Sequence, residues 1–158
     1  MREERRWIAD EMLGKLARYL RFLGYDVVYA RGWTDRMILD RSAEQGRTIL
    51  TRDELLATRA KTRAILLRAF DVEKQLVEIK KAYPFLREEV SFVRCSICNG
   101  PLALADRSTP EPPKGVPANV WASPGDVHIC SECGQPYWEG SHTKEIRKVL
   151  ERTFHGSG

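Results

Sequence analysis

The four cysteines constrain this chain more than any other feature, because they form two Cys-x2-Cys pairs separated by 31 residues. The pairs are Cys95 with Cys98 and Cys130 with Cys133. Two such pairs together supply four thiolates to one tetrahedral metal ion. They predict a structural zinc ion, because four protein ligands leave no open position for chemistry. Iron with the same ligands, disulfides and redox pairs are the alternatives, and a cytoplasmic location disfavours the last two.

Ahead of the cysteines, short apolar strands alternate four times with helices. Strands are predicted at about 5–10, 26–30, 48–51 and 64–68, and helices at about 11–23, 34–45, 54–61 and 71–83. In the first helix the predicted apolar stripe comprises Met12, Leu16, Tyr19, Leu20 and Leu23. This alternation predicts an α/β fold with a parallel sheet and helices on both faces. The proline-rich segment 106–126 is predicted as a loop without a helix.

The chain divides into three predicted parts. Residues 1–91 form the α/β domain, 92–140 the zinc ribbon, and 141–154 a C-terminal helix that packs back on the domain. No apolar run is long enough for a membrane span and no secretory signal is evident, so a cytoplasmic location is expected. The net charge of +4 lies entirely in residues 1–93, which favours a polyanionic partner or a solvated surface.

Three acidic residues follow the predicted strands at their carboxyl ends. Asp10 ends the first strand, Asp35 opens the second helix, and Asp53 follows the third strand, while Asp71 beyond the fourth strand could join them. Because ligands of parallel sheets bind at the carboxyl edge, converging carboxylates there predict a Mg²⁺ or Mn²⁺ site. The alternative is that Asp35, Asp53 and Asp71 only cap helices.

Basic and aromatic residues add candidate contacts to nucleic acid. Lys15, Arg18 and Arg21 are spaced to share one face of the first helix, and Arg52 precedes Asp53. Such side chains could track a phosphate backbone, or they could form an ordinary solvated helix face. Trp138 and His142 could stack on bases, or they could belong to a turn packed on the ribbon.

Several segments together resemble the Mut7-C ribonuclease-type domain, a branch of the PIN-like nucleases. The resemblance covers about residues 7–154. It lies in the segment from Asp10 to Asp26, in Thr48-Ile-Leu-Thr-Arg-Asp53, in the Cys95-Ser-Ile-Cys-Asn-Gly100 knuckle, and in Cys130-Ser-Glu-Cys-Gly followed by Tyr137-Trp-Glu-Gly-Ser-His142.

The resemblance implies a PIN-like fold with a zinc ribbon and metal-dependent cleavage of RNA. It implies that Asp10, Asp35 and Asp53 bind the catalytic metal, with Asp71 as the candidate for a fourth acid. The predicted partners are RNA and, beyond it, the ribosome or another RNA-processing factor. Two other classes remain open. One is a non-catalytic RNA- or ribosome-binding zinc-ribbon protein, and the other is a protein-interaction adaptor.

Overall fold

A computed structural model describes residues 4–156 and divides them between a parallel sheet with its helices and a small antiparallel sheet. The first part contains β1 (Arg6–Asp10), α1 (Gly14–Phe22), β2 (Val27–Ala30), α2 (Asp35–Gln45), β3 (Arg47–Thr51), α3 (Glu54–Ala60), β4 (Ala64–Leu66) and α4 (Val72–Ala82). The second contains β5 (Leu102–Leu104), α5 (Ala118–Ala122), β6 (Val127–Cys130) and β7 (Pro136–Trp138), and α6 (Ser141–His155) follows. Short 3₁₀ turns occupy Glu11–Leu13 and Lys61–Arg63.

The larger sheet is parallel throughout, with the strand order β2–β1–β3–β4. Asp10 at the end of β1 pairs with Ala30, and Ala9 pairs with Leu50. All four strands therefore end along one edge of the sheet, with β1 and β3 in the centre. This confirms the predicted parallel α/β architecture, and it places the acids of β1 and β3 next to each other.

Helices cover both faces of this sheet because successive side chains of each strand point to opposite sides. Trp7 is fully buried among residues of α1, α4 and α6, whereas the adjacent Ile8 is buried against α2 and α3. Ile146 and Leu150 of α6 belong to the same apolar core as Trp7. The C-terminal helix thus packs against the apolar core on one face of the parallel sheet. The division of the chain at residues 91 and 140 stays a prediction.

The helix boundaries follow local capping chemistry. Thr34 accepts a hydrogen bond from the Met37 backbone N–H at the start of α2, and Gly46 ends that helix with φ of 64°. A left-handed conformation at this position suits glycine, which has no Cβ to clash. The predicted start and end of α2 are therefore confirmed.

The predicted first helix differs from the observed one at its N-terminus. A 3₁₀ turn follows Asp10, and α1 begins only at Gly14. Met12 lies in this turn and is 53% exposed, so it does not belong to the buried stripe that the sequence predicted. The reason is that a 3₁₀ turn rotates side chains by a different angle from an α-helix.

The ribbon consists of β5, β6 and β7 in an antiparallel sheet with β6 in the middle. One face of it packs on a small core formed by Val116, Trp121 and Val127. Trp121 lies in α5, so the prediction that segment 106–126 contains no helix was wrong. The buried Trp121 stabilises this short helix against the ribbon. The proline content of the segment had favoured a loop.

Candidate active site and metal-binding site

Asp10 and Asp53 are joined through Thr51 at the carboxyl edge of the sheet. The fully buried Thr51 hydroxyl donates to Oδ2 of Asp10 at 2.7 Å. The Thr51 hydroxyl oxygen also accepts a hydrogen bond from the backbone N–H of Asp53 at 2.9 Å. One hydroxyl thereby fixes the carboxylate of one central strand against the backbone that leads from the other.

The remaining contacts of these two carboxylates are local. Oδ1 of Asp10 accepts from the backbone N–H of Glu11 at 2.8 Å. Oδ1 of Asp53 accepts from the N–H groups of Leu55 and Leu56 and so caps α3. Within the described residues Oδ2 of Asp53 has no hydrogen-bond partner. Capping therefore occupies only one of its two oxygens.

The other two candidate acids lie further out along the same edge. Oδ2 of Asp35, in the first turn of α2, lies 3.7 Å from a guanidinium nitrogen of Arg59. Asp71 caps α4 by accepting from the Lys74 backbone N–H at 2.9 Å, and the Lys74 ammonium lies 3.8 Å from its other oxygen. Each is thus engaged by a cation, and neither shares a hydrogen bond with the Thr51 pair.

The structure gathers these acids less closely than the sequence suggested. Within residues 4–156, only the cysteine cluster brings three or more possible ligand atoms close enough to hold a metal ion. Asp35 and Asp71 follow outer strands, β2 and β4, and strand order alone separates them from the central pair. Thr51 therefore links the Asp10 carboxylate to the backbone of Asp53, and Asp35 and Asp71 lie outside this link.

The basic face predicted on α1 is only partly exposed. Lys15 and Arg18 are exposed, but Arg21 is only 6% exposed. Its guanidinium donates to the carbonyl of Val27 at 2.8 and 3.0 Å and to those of Ser96 and Ile97 at 3.1 and 3.2 Å. Arg21 therefore tethers the first cysteine knuckle to β2, and its nitrogens are not available to phosphate.

Arg52 stacks on an aromatic ring beside the acids. Its guanidinium carbon lies 3.6 Å from the centroid of the Phe70 ring. Its Nε is buried and has no hydrogen-bond partner among the described residues. Arg52 is half-buried, so one side of the guanidinium is committed to Phe70 while the group stays at the surface.

The four cysteines converge as the sequence predicted. The sulfurs of Cys95 and Cys133 are 3.6 Å apart and those of Cys98 and Cys130 are 3.4 Å apart, and all four lie within 4.8 Å of one another. A tetrahedral ion with metal–sulfur bonds of 2.3 Å would separate its ligands by about 3.8 Å. None of the four forms a disulfide. The cluster can therefore hold a metal such as zinc.

Backbone N–H groups surround these sulfurs. Glu132 and Cys133 donate to the Cys130 sulfur at 3.4 Å, and Gly100 donates to that of Cys98 at 3.4 Å. Burial opposes ionisation of Cys130, but the N–H groups outweigh it and lower its pKa to about 7. Burial raises the pKa of Cys98 to about 12. Four thiolates would not coexist here without a cation, which is what a divalent metal supplies.

Trp138 and His142 lie at the junction of the ribbon and α1. Trp138 is half-buried and packs on the ribbon's own core. The exposed His142 meets the ring of Phe22 edge to face, with centroids 6.0 Å apart. Together they line a cavity of about 190 Å³ that Arg18 also borders. Both keep an accessible edge, although each also has a packing role.

A polar network that the sequence analysis missed joins the ribbon to the sheet. Asp26 accepts from the Arg47 guanidinium at 2.9 and 3.2 Å and from the Asn99 amide at 2.8 Å. The Asn99 carbonyl oxygen accepts in turn from the Val27 N–H at 2.9 Å. Asn99 has φ of 72°, a conformation that asparagine tolerates better than most residues. The sequence signal for this network was an asparagine directly after the second cysteine of the knuckle.

Thr51 and Phe70 were also missed as site residues. A threonine two positions before an acid at a strand end indicates a hydroxyl that can orient a carboxylate. An aromatic residue immediately before Asp71 indicates an apolar side chain beside the acidic edge.

Comparison with known families identifies the family of this chain. Residues 5–150 match the family model described as the Mut7-C RNAse domain. The chain belongs to the Mut7-C RNAse domain family. This Mut7-C match spans both the parallel sheet and the ribbon, so the two parts are one family unit, and it confirms the resemblance inferred from the motifs. Membership indicates a nuclease-like, RNA-related function.

Two further comparisons gave no relatives. No curated protein matches the chain significantly, and no solved structure does. None of the helices in the described part of this Mut7-C chain has the length and apolar character needed to cross a membrane.

Proposed function

We propose that this protein is a metal-dependent ribonuclease that hydrolyses RNA phosphodiester bonds at the carboxyl edge of its parallel sheet. The observation that carries the proposal is the Thr51 hydroxyl at the end of β3, which joins the Asp10 carboxylate of β1 to the backbone N–H of Asp53. A carboxylate fixed by a buried hydroxyl is a preorganised ligand, and the family is one of RNA nucleases.

Asp10 and Asp53 would hold the divalent cation, Mg²⁺ or Mn²⁺, with Asp35 as a third ligand and Asp71 as a fourth acid. The donor set fits, because hard carboxylate oxygens are the ligands that these ions prefer. When bound, the cation supplies a water of lowered pKa and neutralises charge on the phosphate. Asp35 would exchange its contact with Arg59 for this role.

Cationic side chains would hold the RNA backbone. Lys15 and Arg18 are exposed on α1, and Arg52 lies one residue before Asp53. Zinc in the four-cysteine site would keep the ribbon folded without entering the reaction. Trp138 and His142 would let the ribbon contact RNA, and the ribbon could also receive the ribosome or another RNA-processing factor.

The alternative is a non-catalytic RNA- or ribosome-binding protein. The caps that Asp53 and Asp71 provide to α3 and α4 favour it, because those contacts explain the two acids without a metal. Such a protein would need zinc for folding but would be indifferent to Mg²⁺ and Mn²⁺.

The test is a cleavage time course on 5′-labelled RNA with zinc-loaded protein, with and without added Mn²⁺ or Mg²⁺. A chelator is avoided, because it would also extract the metal of the ribbon. Asp53→Asn should abolish cleavage and keep the fold, since asparagine caps a helix as well as aspartate does. Asp71→Asn should reduce the cleavage rate less than Asp53→Asn does, because Lys74 already pairs with the Asp71 carboxylate.

Asp40→Asn is the matched control, because Asp40 is an exposed acid within α2 whose one ion pair among residues 4–156 is with Arg36, at 3.5 Å. It should cleave like wild type. Cleavage by wild type that requires Mn²⁺ or Mg²⁺ and is lost in Asp53→Asn supports the nuclease. RNA binding without any cleavage, unaffected by these ions, would support the alternative instead.

A further inference from the structure

Phe70 is the most exposed of the large apolar side chains in the described part of the chain, at 83%. It lies in the segment between β4 and α4, directly before Asp71. Burying a phenylalanine side chain ordinarily gains about 1.5–3 kcal/mol, and here that gain is forgone. The exposed ring follows β4, at the same sheet edge as the acids, where a binding partner could cover it.

The backbone that carries Phe70 is fixed by buried or charged side chains. Glu78 accepts hydrogen bonds from the N–H groups of Arg68 and Ala69, both at 2.8 Å. Gln75, which is only 5% exposed, donates its amide to the carbonyl of Ala69 at 3.0 Å. Phe70 is thus displayed from an ordered turn, so a ligand need not order the segment when it binds.

One face of the ring is already covered. The Arg52 guanidinium lies 3.6 Å from the ring centroid, and the high exposure of Phe70 leaves the opposite face to solvent. Single-stranded nucleic acids bind by stacking their bases on aromatic side chains, and arginine adds cation–π contacts to such sites.

The surface beside the ring is suited to a nucleotide. A cavity of about 500 Å³ extends from Phe70 to the turn that follows Asp10, and its lining includes Met12, Leu16, Val72, Lys15 and Lys74. Apolar side chains line it next to two ammonium groups and the carboxylates of Asp71 and Glu73. The apolar side chains suit the face of a base. Lys74 lies 3.8 Å from Asp71, so Lys15 is the candidate contact for the phosphate of that nucleotide.

We propose that Phe70, backed by Arg52, is a stacking platform for an unpaired base of the RNA strand beside the acidic edge. The inference rests on the proposed function for its substrate, but not on cleavage itself. A base inside a duplex has both faces covered by its neighbours and cannot reach the platform. The platform would therefore select single-stranded segments and position the phosphate next to that base over Asp10 and Asp53.

The test is the affinity of zinc-loaded protein for a short unstructured fluorescent oligoribonucleotide, measured by anisotropy without Mg²⁺ or Mn²⁺. Phe70→Ala should weaken binding by about 5- to 150-fold, the range for loss of one base–aromatic stack. Phe70→Trp should bind within about threefold of wild type. Leu104→Ala, which removes a 63% exposed apolar side chain of the ribbon, is the matched control and should bind as wild type does.

Two further probes distinguish stacking from a general loss of affinity. An abasic oligonucleotide of the same length should bind wild type and Phe70→Ala equally, and so should a duplex of the same sequence. The thermal midpoint of Phe70→Ala should stay within about 2 °C of wild type, because the ring is exposed. Equal binding of the unstructured probe by wild type and Phe70→Ala would overturn the platform, as would equal weakening on the abasic probe.

This experiment separates the two proposals. Base-dependent loss of binding in Phe70→Ala without any metal-dependent cleavage by wild type would keep the platform and reject the nuclease. Metal-dependent cleavage with unchanged binding by Phe70→Ala would keep the nuclease and reject the platform.

Discussion

The hydroxyl of Thr51 donates to the carboxylate of Asp10 across the two central strands, at 2.7 Å. Thr51 is fully buried, so this bond forms away from competing water. The same hydroxyl accepts from the Asp53 backbone and therefore holds both halves of the acidic edge in one arrangement. Hydrogen bonds to a charged group in such surroundings are stronger than those between neutral groups.

Replacement of Thr51 by valine tests this arrangement. Thr51→Val keeps the shape of the side chain but removes the hydroxyl, which leaves the Asp53 N–H without its acceptor. We expect a loss of about 1–3 kcal/mol in the free energy of unfolding and about a 100-fold lower cleavage rate, because Asp10 is no longer held. Urea unfolding and single-turnover cleavage measure the two effects.

Thr51→Ser is the matched variant, since it restores the hydroxyl and removes only a methyl group. It should recover most of the cleavage rate while remaining somewhat less stable than wild type. Should valine cleave as fast as serine, Thr51 would have a structural role only.

Arg18 and Arg21 lie on the same helix and should respond in opposite ways to substitution. Arg21→Met leaves the carbonyls of Val27, Ser96 and Ile97 without their donor in a buried place. We expect it to lower the free energy of unfolding by at least 2–3 kcal/mol, since each unsatisfied buried group costs about 1–3 kcal/mol. Arg18→Met, on the exposed side, should change it by less than about 0.5 kcal/mol.

RNA binding should reverse this order. Arg18→Met should reduce the salt dependence of RNA affinity, because a phosphate contact contributes a slope of about one unit in a logarithmic plot against salt. Folded Arg21→Met should keep the wild-type slope. A reduced slope for Arg21→Met but not for Arg18→Met would show that the assignment of the two arginines is wrong.

Metal removal should also destabilise a strand outside the ribbon. The Val27 N–H of β2 is held by the Asn99 side chain, which follows the first cysteine knuckle directly. We expect chelation, or Cys98→Ser, to lower the thermal midpoint and to speed amide exchange at Val27, because a metal ion bound by the four cysteines would hold the knuckle in place. Thermal unfolding measures the first effect, and hydrogen exchange read residue by residue measures the second.

The amides of α2 and α3 are the internal control for this experiment. They pack on the opposite face of the sheet, away from the ribbon, and should exchange at nearly the same rate with and without metal. Faster exchange confined to the ribbon, with Val27 unchanged, would contradict the coupling.

Asp26 makes stability depend on pH in the acidic range. Burial raises its pKa, but hydrogen bonds from Arg47 and Asn99 outweigh burial and bring the pKa below its ordinary value of 3.8. The stabilisation is therefore present above pH 3.8 and is lost as pH falls through the lower, folded-state pKa. Asp26→Asn should cost about 3 kcal/mol at pH 7, because it leaves the buried Arg47 charge without its partner.

The difference between wild type and Asp26→Asn should shrink as the pH is lowered past this range, as measured by urea unfolding at several pH values. Asp40→Asn, at an exposed ion pair, should cost less than about 0.5 kcal/mol at any pH. A difference for Asp26→Asn that is independent of pH would exclude the carboxylate as its source.

Sequence reasoning was most successful where the determinants are local. Thr34 and Gly46 set the ends of α2 through their own backbone and side-chain chemistry. The two cysteine pairs predict a shared site, because each pair is three positions apart and the metal supplies a strong reason for the pairs to meet. Met12 was misassigned, because the Asp10 carboxylate favours a tight turn after β1 over an immediate α-helix.

The candidate site was only partly accessible to such reasoning. That the acids follow strands could be predicted, but strand order decides which strands are neighbours, and order depends on packing of the whole sheet. The order β2–β1–β3–β4 joins Asp10 with Asp53 and leaves Asp35 and Asp71 outside. Arg21 shows the same limit, since its partners Ser96 and Ile97 lie about 75 positions away in the chain.

The sequence by itself determined the elements of the parallel sheet, most of its capping residues, the four-sulfur cluster and the family, because each depends on residue types at short spacing or on linear motifs. The tertiary structure alone decided which acids meet, that Thr51 joins them, that Arg21 is buried, and that Phe70 is displayed on Arg52. These features depend on contacts between distant segments. Their geometry is fixed only when the sheet, the helices and the ribbon pack together.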